Sequence, residues 1–455
     1  MAVAREIRVG VACWALLLPW SCAAPAACVA ARRARALPLR SQLLASAARG
    51  DSAGGGGAGG GAVTGLLELC KEACDELSVL VRLVYGGLSA SEATLKADQS
   101  VFTIADGLVQ HLLLTALLRD DVLGAVVGEE DARVNVATRP YTVDALNVPE
   151  RLWAPIDTAR ARLAQLGARA RAQHDAGAAP LRALTAFVDP IDGTREFSER
   201  LGEMCTVCIG LAEDGVPVGG LVYRPLTNPP TWAYGCAREG VARSRLLSRA
   251  DSLSLATCAE RPSECAPLPD LAECGDAPPP AGAQGLLASR GGVSAFVRAL
   301  GHELPATLVR SGGAGNKALL LLEGAGACYI QDRGLFRWDT CAAQAVLEAH
   351  GGLLVKLSAL AARGVAESYR YAKVDVQLDL EPGLARLTLH NAADVRSVPR
   401  SGAGNEVRYA QRADETKPYA NVCGVCALAP SAAARLDEYA AAIGRARASH
   451  EMEIS

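Results

Sequence analysis

Sets of strands that alternate with sets of helices predict an α/β or α+β fold with layered sheets. Three observations carry this expectation. Apolar runs of strand length, at 184–188, 206–211 and 216–223, are bounded by turn residues. Between such runs lie segments with apolar residues at helical spacing, clearest in Leu66, Leu67, Cys70, Cys74, Leu77, Leu80 and Val81. Half of the 455 residues are hydrophobic, enough for a sizeable core in two domains of ordinary size. No internal repeat is present.

The first 61 residues differ from the rest. Arg5 and Arg8 precede an apolar run at 9–20 and small residues at 21–30, the order of a secretory signal. The run is short for a membrane span. Arg32, Arg33, Arg35, Arg40 and Arg49 follow, with Glu6 and Asp51 the sole acids before residue 60. That composition is similar to an organellar transit sequence. A two-part leader would send the protein to a plastid, another organelle or the secretory pathway; a cytoplasmic protein with an unstructured N-terminus is the alternative. The glycine-rich run at 54–61 holds no helix and reads as a linker, so the folded part is expected from Ala62.

The remaining elements follow in order. The spacing predicts helices over 66–83 and 106–118, then a short strand over 123–127 ending at Gly128-Glu129-Glu130. Residues 131–180, rich in Ala and Arg, read as an insertion with one surface helix near 156–170. Strands at 184–188, 206–211 and 216–223 come next, the last two joined by Glu213-Asp214-Gly215. A Pro-rich loop over 258–282 leads to a strand at 283–289 and a helix at 293–300. Ser311-Gly312-Gly313-Ala314-Gly315-Asn316-Lys317 reads as a turn opening a helix at 318–323. Asp339 opens another helix, which stops at His350-Gly351-Gly352. Residues 360–415 read as a second insertion, before a strand at 421–428 and a last helix at 432–445.

Charge and cysteine usage narrow the function. The net charge is −3 and aromatics make up 4%, so nucleic-acid polymers are not expected partners. The 15 cysteines are scattered through apolar segments and read as reduced core thiols. This includes the C-x-x-C pairs Cys205/Cys208 and Cys423/Cys426, which lie in separate strand-like runs. No G-x-S-x-G elbow or H-E-x-x-H pair appears.

Chemistry concentrates in Asp189-Pro190-Ile191-Asp192-Gly193-Thr194. Two carboxylates three residues apart, split by proline and followed by glycine and a hydroxyl, can converge on one point with a backbone carbonyl. That equips a turn to hold a hard divalent cation and activate a water. Asp106, Glu129 and Asp339 stand at the ends of other expected elements. Each alone could be a helix cap or a solvated turn.

Taken together, Gly128-Glu129-Glu130, Asp189 to Thr194, and Trp338-Asp339-Thr340-Cys341-Ala342 resemble the lithium-sensitive, magnesium-dependent phosphomonoesterases of the inositol monophosphatase superfamily. The resemblance runs from about Leu66 to Arg445 with two insertions. It is closest to the 3′(2′),5′-bisphosphate nucleotidase branch, through 189–199 (DPIDGTREFSE), 312–317 (GGAGNK), 338–342 (WDTCA), and Lys96-Ala97-Asp98-Gln99-Ser100 with Thr103 and Asp106.

The resemblance implies a layered α/β/α/β/α fold. It places most metal ligands in an N-terminal α+β half (62–230) and Asp339 in a C-terminal α/β half (231–455). Glu129, Asp189, the carbonyl of Ile191, Asp192 and Asp339 would ligate two or three Mg²⁺ ions. Asp106 and Thr194 would position and deprotonate the attacking water. Gly193, Thr194, Ser289, Gly313 and Lys317 would bind the substrate, a small phosphorylated metabolite. The implied reaction removes the 3′-phosphate of adenosine 3′,5′-bisphosphate, a by-product of sulfur metabolism. Gly291-Gly292 stands where nucleotidases of this type commonly carry Ser-His, so an imidazole is missing there. Inositol polyphosphate 1-phosphatases and inositol monophosphatases share the metal ligands and are the alternative.

Overall fold

A 25-residue amphipathic helix, α1 (Ala62–Gly86), opens the fold and buries Leu66, Leu67, Cys70, Cys74, Leu77, Leu80 and Val81. Glu239 caps it from a distant turn, accepting from the N–H groups of Val63 and Thr64 at 3.2 and 2.9 Å. First-turn donors that the helix itself cannot satisfy thus find a carboxylate. The computed structural model describes residues 61–87, 93–95, 101–119, 121–175, 181–258, 285–304, 306–332, 334–373, 419–421 and 424–450. The expected leader and glycine linker (1–60), the segment 96–100, the Pro-rich loop at 259–284, most of the 360–415 insertion and Cys423 lie outside the described residues.

After α1 come β1 (Ala93–Leu95), β2 (Val101–Thr103), α2 (Ile104–Ala116), β3 (Ala125–Gly128), the short strands β4 (Val134–Asn135), β5 (Thr142–Val143) and β6 (Leu146–Asn147), and α3 (Trp153–Asp175). Next are β7 (Leu184–Asp192), α4 (Thr194–Ser198), β8 (Thr206–Glu213), β9 (Val216–Arg224), β10 (Thr231–Cys236), β11 (Val241–Arg245) and α5 (Arg249–Cys258). The chain continues with β12 (Gly285–Ser289), α6 (Ala295–Glu303), β13 (Thr307–Ser311), α7 (Ala314–Leu322), β14 (Cys328–Gln331), α8 (Arg337–Ala349), β15 (Leu353–Lys356), α9 (Leu357–Arg363), β16 (Val425–Leu428) and α10 (Leu436–Ser449).

Two large sheets result. One runs β11-β10-β9-β8-β7-β3, antiparallel except where β3 pairs parallel with β7. The other runs β13-β12-β14-β16-β15, with β12 parallel to both neighbours and β16 antiparallel to both of its own. Helices α1 and α2 cover the outer face of the first sheet, and α3 packs on them. Helices α7 and α8 lie between the sheets, and α6, α9 and α10 cover the outer face of the second. The layers are therefore α/β/α/β/α, as expected.

Several details depart from the sequence reading. Helix α3 is the expected surface helix, with Arg160, Arg162 and Arg169 exposed, but it is also tied to the core: Ile156, Ala159, Leu163, Leu166 and Ala170 are buried with α1 and α2. Their spacing of three and four residues makes one apolar stripe, which abundant Ala and Arg conceal. The first sheet continues through Arg245, past the expected division at 230, because β10 and β11 extend the antiparallel meander from β9. The glycine-rich segment is not a turn before its helix, since Ala314 to Lys317 already form the first turn of α7. The cysteines whose side chains are described are buried and make no disulfide. No described helix is long and apolar enough to cross a membrane.

Candidate active site

Strand β7 delivers the acidic turn. Between Asp189 and Asp192 it advances three residues while β8 advances two, from Cys208 to Thr206. The extra residue makes a bulge, which re-aims the side chains at the strand end. Asp189 Oδ1 accepts from the Ile191 N–H at 3.1 Å, closing the turn on itself. Asp192 is held more firmly. Its Oδ1 accepts from the Ala314 N–H at 2.9 Å, and its Oδ2 from the Gly315 N–H and the Thr206 hydroxyl, both at 2.7 Å. The positive end of α7 thus grips a carboxylate of the other sheet.

Asp339 arrives in the first turn of α8, where its Oδ2 accepts from the Phe336 N–H at 2.7 Å. Asp339 is thus not the N-cap residue, which is Phe336; it caps the first turn from the third helical position. Asp189, Asp192 and Asp339 each present a carboxylate oxygen, and these oxygens lie within 4.8 Å of one another. Burial, then the charges of Glu129, Asp192 and Asp339, hold the Asp189 carboxyl well above the usual range. Enclosure, then Asp192 and Glu129, do the same for Asp339. Such crowding of acids is what a cation would relieve. Glu129 follows β3, with its N–H donating to the Val188 carbonyl at 3.0 Å, and lines the same cleft outside this tight group. Ile191, fully buried, presents its carbonyl to the Thr194 hydroxyl at 3.0 Å. Three carboxylates, a fourth nearby and a carbonyl form an all-oxygen donor set, the chemistry that a hard divalent cation takes.

Beside the cluster, Asp106 is fully buried at the start of α2. Its Oδ2 accepts from the N–H and hydroxyl of Thr103, at 2.9 and 2.5 Å. Its Oδ1 faces the Thr194 hydroxyl at 3.1 Å. Thr194 opens the five-residue helix α4, preceded by Gly193 at φ 93°.

The glycine-rich segment behaves differently from the sequence expectation. Its helix-start N–H groups serve Asp192. The Lys317 ammonium donates to the carbonyls of Gly313 and Ser311 at 2.6 and 3.3 Å and sits 5.0 Å from the Tyr329 ring centre. Burial pushes its pKa down, against the pull of Asp192, Glu196 and Asp339. Gly313 and Lys317 still line the 260 Å³ cleft, with Gly193, Thr194 and Ser289. Every sequence-predicted residue except Asp106 lines this cleft, and Asp106 touches it through Thr194.

Several cleft residues carried no role in the sequence reading. Glu196 is buried beneath Gly312, and burial raises its pKa against the pull of Lys317 and Arg290. Phe336 and Trp338 stack at 4.8 Å on the cleft wall. Arg195 lines both this cleft and an adjoining 460 Å³ cavity. The signal for Arg195 and Glu196 was their place directly after Thr194, on the turn that carries the site.

The sequence pattern of the inositol monophosphatase family matches residues 67–375. The chain belongs to that family. Among named relatives, mouse 3′(2′),5′-bisphosphate nucleotidase 1 is 29% identical over 260 residues, covering 56% of this chain and 71% of the mouse protein. The human protein of the same name is 27% identical, over 60% of this chain and 76% of its own length. A Drosophila melanogaster putative inositol monophosphatase 3 is 25% identical over 58% of this chain and 62% of its own. Among solved structures, CysQ from Bacteroides thetaiotaomicron, a bacterial member of the inositol monophosphatase family, matches with a TM-score of 0.38 at 21% identity, covering 66% of this chain and 90% of that one. The chain is accordingly a phosphatase of the inositol monophosphatase family.

Proposed function

We propose that this phosphatase removes the 3′-phosphate of adenosine 3′,5′-bisphosphate, giving AMP and phosphate, with Mg²⁺ as cofactor. The observation that carries a hydrolytic reading is the Asp106–Thr194 pair, 3.1 Å apart, beside three converging aspartates. The nucleotide reading is supported by the cavity beside the cleft, 460 Å³ in volume and of nucleoside scale, and by the names of the mouse and human relatives.

Asp189, Asp192, Asp339, Glu129 and the Ile191 carbonyl would hold the ions. When bound, Mg²⁺ supplies charge neutralisation for the phosphate and acidifies a coordinated water. The chain's own residues do the rest. The Thr194 hydroxyl shares its one hydrogen between Asp106 Oδ1 at 3.1 Å and the Ile191 carbonyl at 3.0 Å, leaving its lone pairs to accept a proton from the attacking water. Asp106 receives the proton that Thr194 passes on. Water oxygen bonds to phosphorus as the bond to the ribose 3′-oxygen breaks; the departing oxygen takes a proton from solvent, and Asp106 returns the one it received to solvent. Burial of Asp106 and the Phe336–Trp338 wall limit bulk water around these groups.

The test is phosphate release from adenosine 3′,5′-bisphosphate and from inositol 1,4-bisphosphate, side by side at millimolar Mg²⁺. Preference for the nucleotide is expected. Turnover of the inositol compound alone would replace the proposed substrate with its alternative.

A further inference from the structure

Among the described residues, three cationic side chains line the cleft: Arg195, Arg290 and Lys317. Two are committed. Arg290 ion-pairs with Glu199 and, at 3.5 Å, with Glu196. Lys317 donates to two carbonyls beneath Tyr329. The exposed guanidinium of Arg195 has no ion-pair or hydrogen-bond partner among the described residues.

Its position is equally particular. Arg195 stands where the acidic cleft meets the 460 Å³ cavity, and both spaces share Ser289, Gly291 and Gly334. Its Nη1 lies 3.2 Å from where a Cβ on Gly291 would be. The guanidinium therefore uses room that a side chain at 291 would take. The missing side chain at Gly291 is what lets Arg195 lean over the groove.

We infer that Arg195 is a specificity-determining residue: it binds a second anionic group of the substrate, carried on the part that occupies the adjoining cavity. This rests on the proposed phosphomonoesterase reading and adds to it the requirement for a second anion. The phosphate to be cleaved lies among the acids, which need cations to tolerate it. A second phosphate gains nothing from that cluster and needs a free cation outside it. A planar guanidinium meets a phosphate with two parallel N–H donors, and leaving a substrate without that phosphate forfeits the contact.

The test compares kcat/KM for two substrate pairs: adenosine 3′,5′-bisphosphate against adenosine 3′-monophosphate, and inositol 1,4-bisphosphate against inositol 1-monophosphate. In the full chain with Mg²⁺, Arg195→Gln is expected to lower the bisphosphate-to-monophosphate ratio at least tenfold for whichever scaffold the enzyme accepts. Gly291→Val, which crowds the guanidinium, should lower the same ratio and add nothing in the Arg195→Gln background. A ratio that shifts less than tenfold in Arg195→Gln, whatever the absolute rates, overturns the inference. If the wild type accepts only the inositol pair, the nucleotide reading fails and that pair decides about Arg195. If no phosphate is released from any of the four, the phosphatase reading and the inference fall together.

Discussion

The Thr194 hydroxyl lies 3.1 Å from Oδ1 of Asp106, while Oδ2 of the same carboxylate is fully occupied by the N–H and hydroxyl of Thr103. One oxygen is thus anchored and the other is aimed. Because α2 starts at Ile104 and α4 at Thr194, the pair, 88 residues apart in sequence, joins the first turns of two helices. Asp106→Asn keeps the shape but removes the proton acceptor. It should lower kcat by about 10²–10⁴-fold, the usual worth of a general base, while inorganic phosphate still binds. Thr194→Ser should retain most activity and Thr194→Val should resemble Asp106→Asn. Near-normal turnover by Asp106→Asn would remove its assigned role.

Asp192 links metal affinity to helix placement, since its oxygens accept from Ala314, Gly315 and Thr206. Asp192→Ala should raise the Mg²⁺ concentration for half-maximal activity at least about tenfold, as loss of a ligand or its support does. It should also cost about 1–3 kcal/mol of stability, because buried N–H groups lose their acceptor. Chelation with EDTA should abolish turnover in the wild type, and added Mg²⁺ should restore it. An unchanged Mg²⁺ titration in Asp192→Ala would count against ligation.

Gly313 tests the same contact from the other side. Its φ is 61°, and an added Cβ would stand 2.9 Å from Asp192 Oδ2 and 3.0 Å from the Met204 carbonyl. Gly313→Ala should therefore cost about 1–3 kcal/mol in backbone strain and crowding. It should also weaken the Mg²⁺ response, because the displaced group is the Asp192 carboxylate. Urea denaturation and a Mg²⁺ titration on one preparation check both effects.

The acidic turn was legible because its chemistry is local: Asp189, Ile191, Asp192 and Thr194 sit within six residues, and the bulge that aims them forms against the next strand, β8. Asp339 was legible only through likeness to a family, since a carboxylate in a helix's first turn is ordinary. The use of the Ala314 and Gly315 N–H groups could not be read, because a glycine-rich helix start serves any anion and only folding places Asp192 there. Strands β13, β14 and β15 were missed since each is four or five residues long and has no alternation to display. Helix α3 hid its stripe among alanines, whose burial composition does not reveal.

Arg224 and Glu323 form a fully buried ion pair that braces α7 from behind. The guanidinium also donates to Asn316 Oδ1 at 2.9 Å, and Glu323 accepts from the Leu247 N–H and the Ser252 hydroxyl. Glu323→Gln leaves a buried cation without its counter-charge and should cost about 3–5 kcal/mol. Arg224→Met should cost a similar amount for the opposite reason. The double variant should lose less than the sum of the two, measured by chemical denaturation. Strict additivity would show that the two charges do not depend on each other.

Glu348 gives stability a pH signature away from the catalytic acids. It lies near the end of α8, accepts from Gln344 Nε2 at 2.8 Å, and burial raises its pKa from 4.5 to about 7. The folded protein therefore holds this proton more tightly than the unfolded chain does. Its contribution is fully present below pH 4.5 and is lost as pH rises through about 7. Gln344 also accepts from the Tyr371 hydroxyl at 2.7 Å, so the same contact secures the segment that follows α9. Glu348→Gln keeps the neutral shape and removes the titration. Compared with the wild type it should gain on the order of 2 kcal/mol between pH 5 and pH 8. Urea midpoints for both proteins at those two pH values decide it, and parallel changes in the two would assign the pH dependence to other groups.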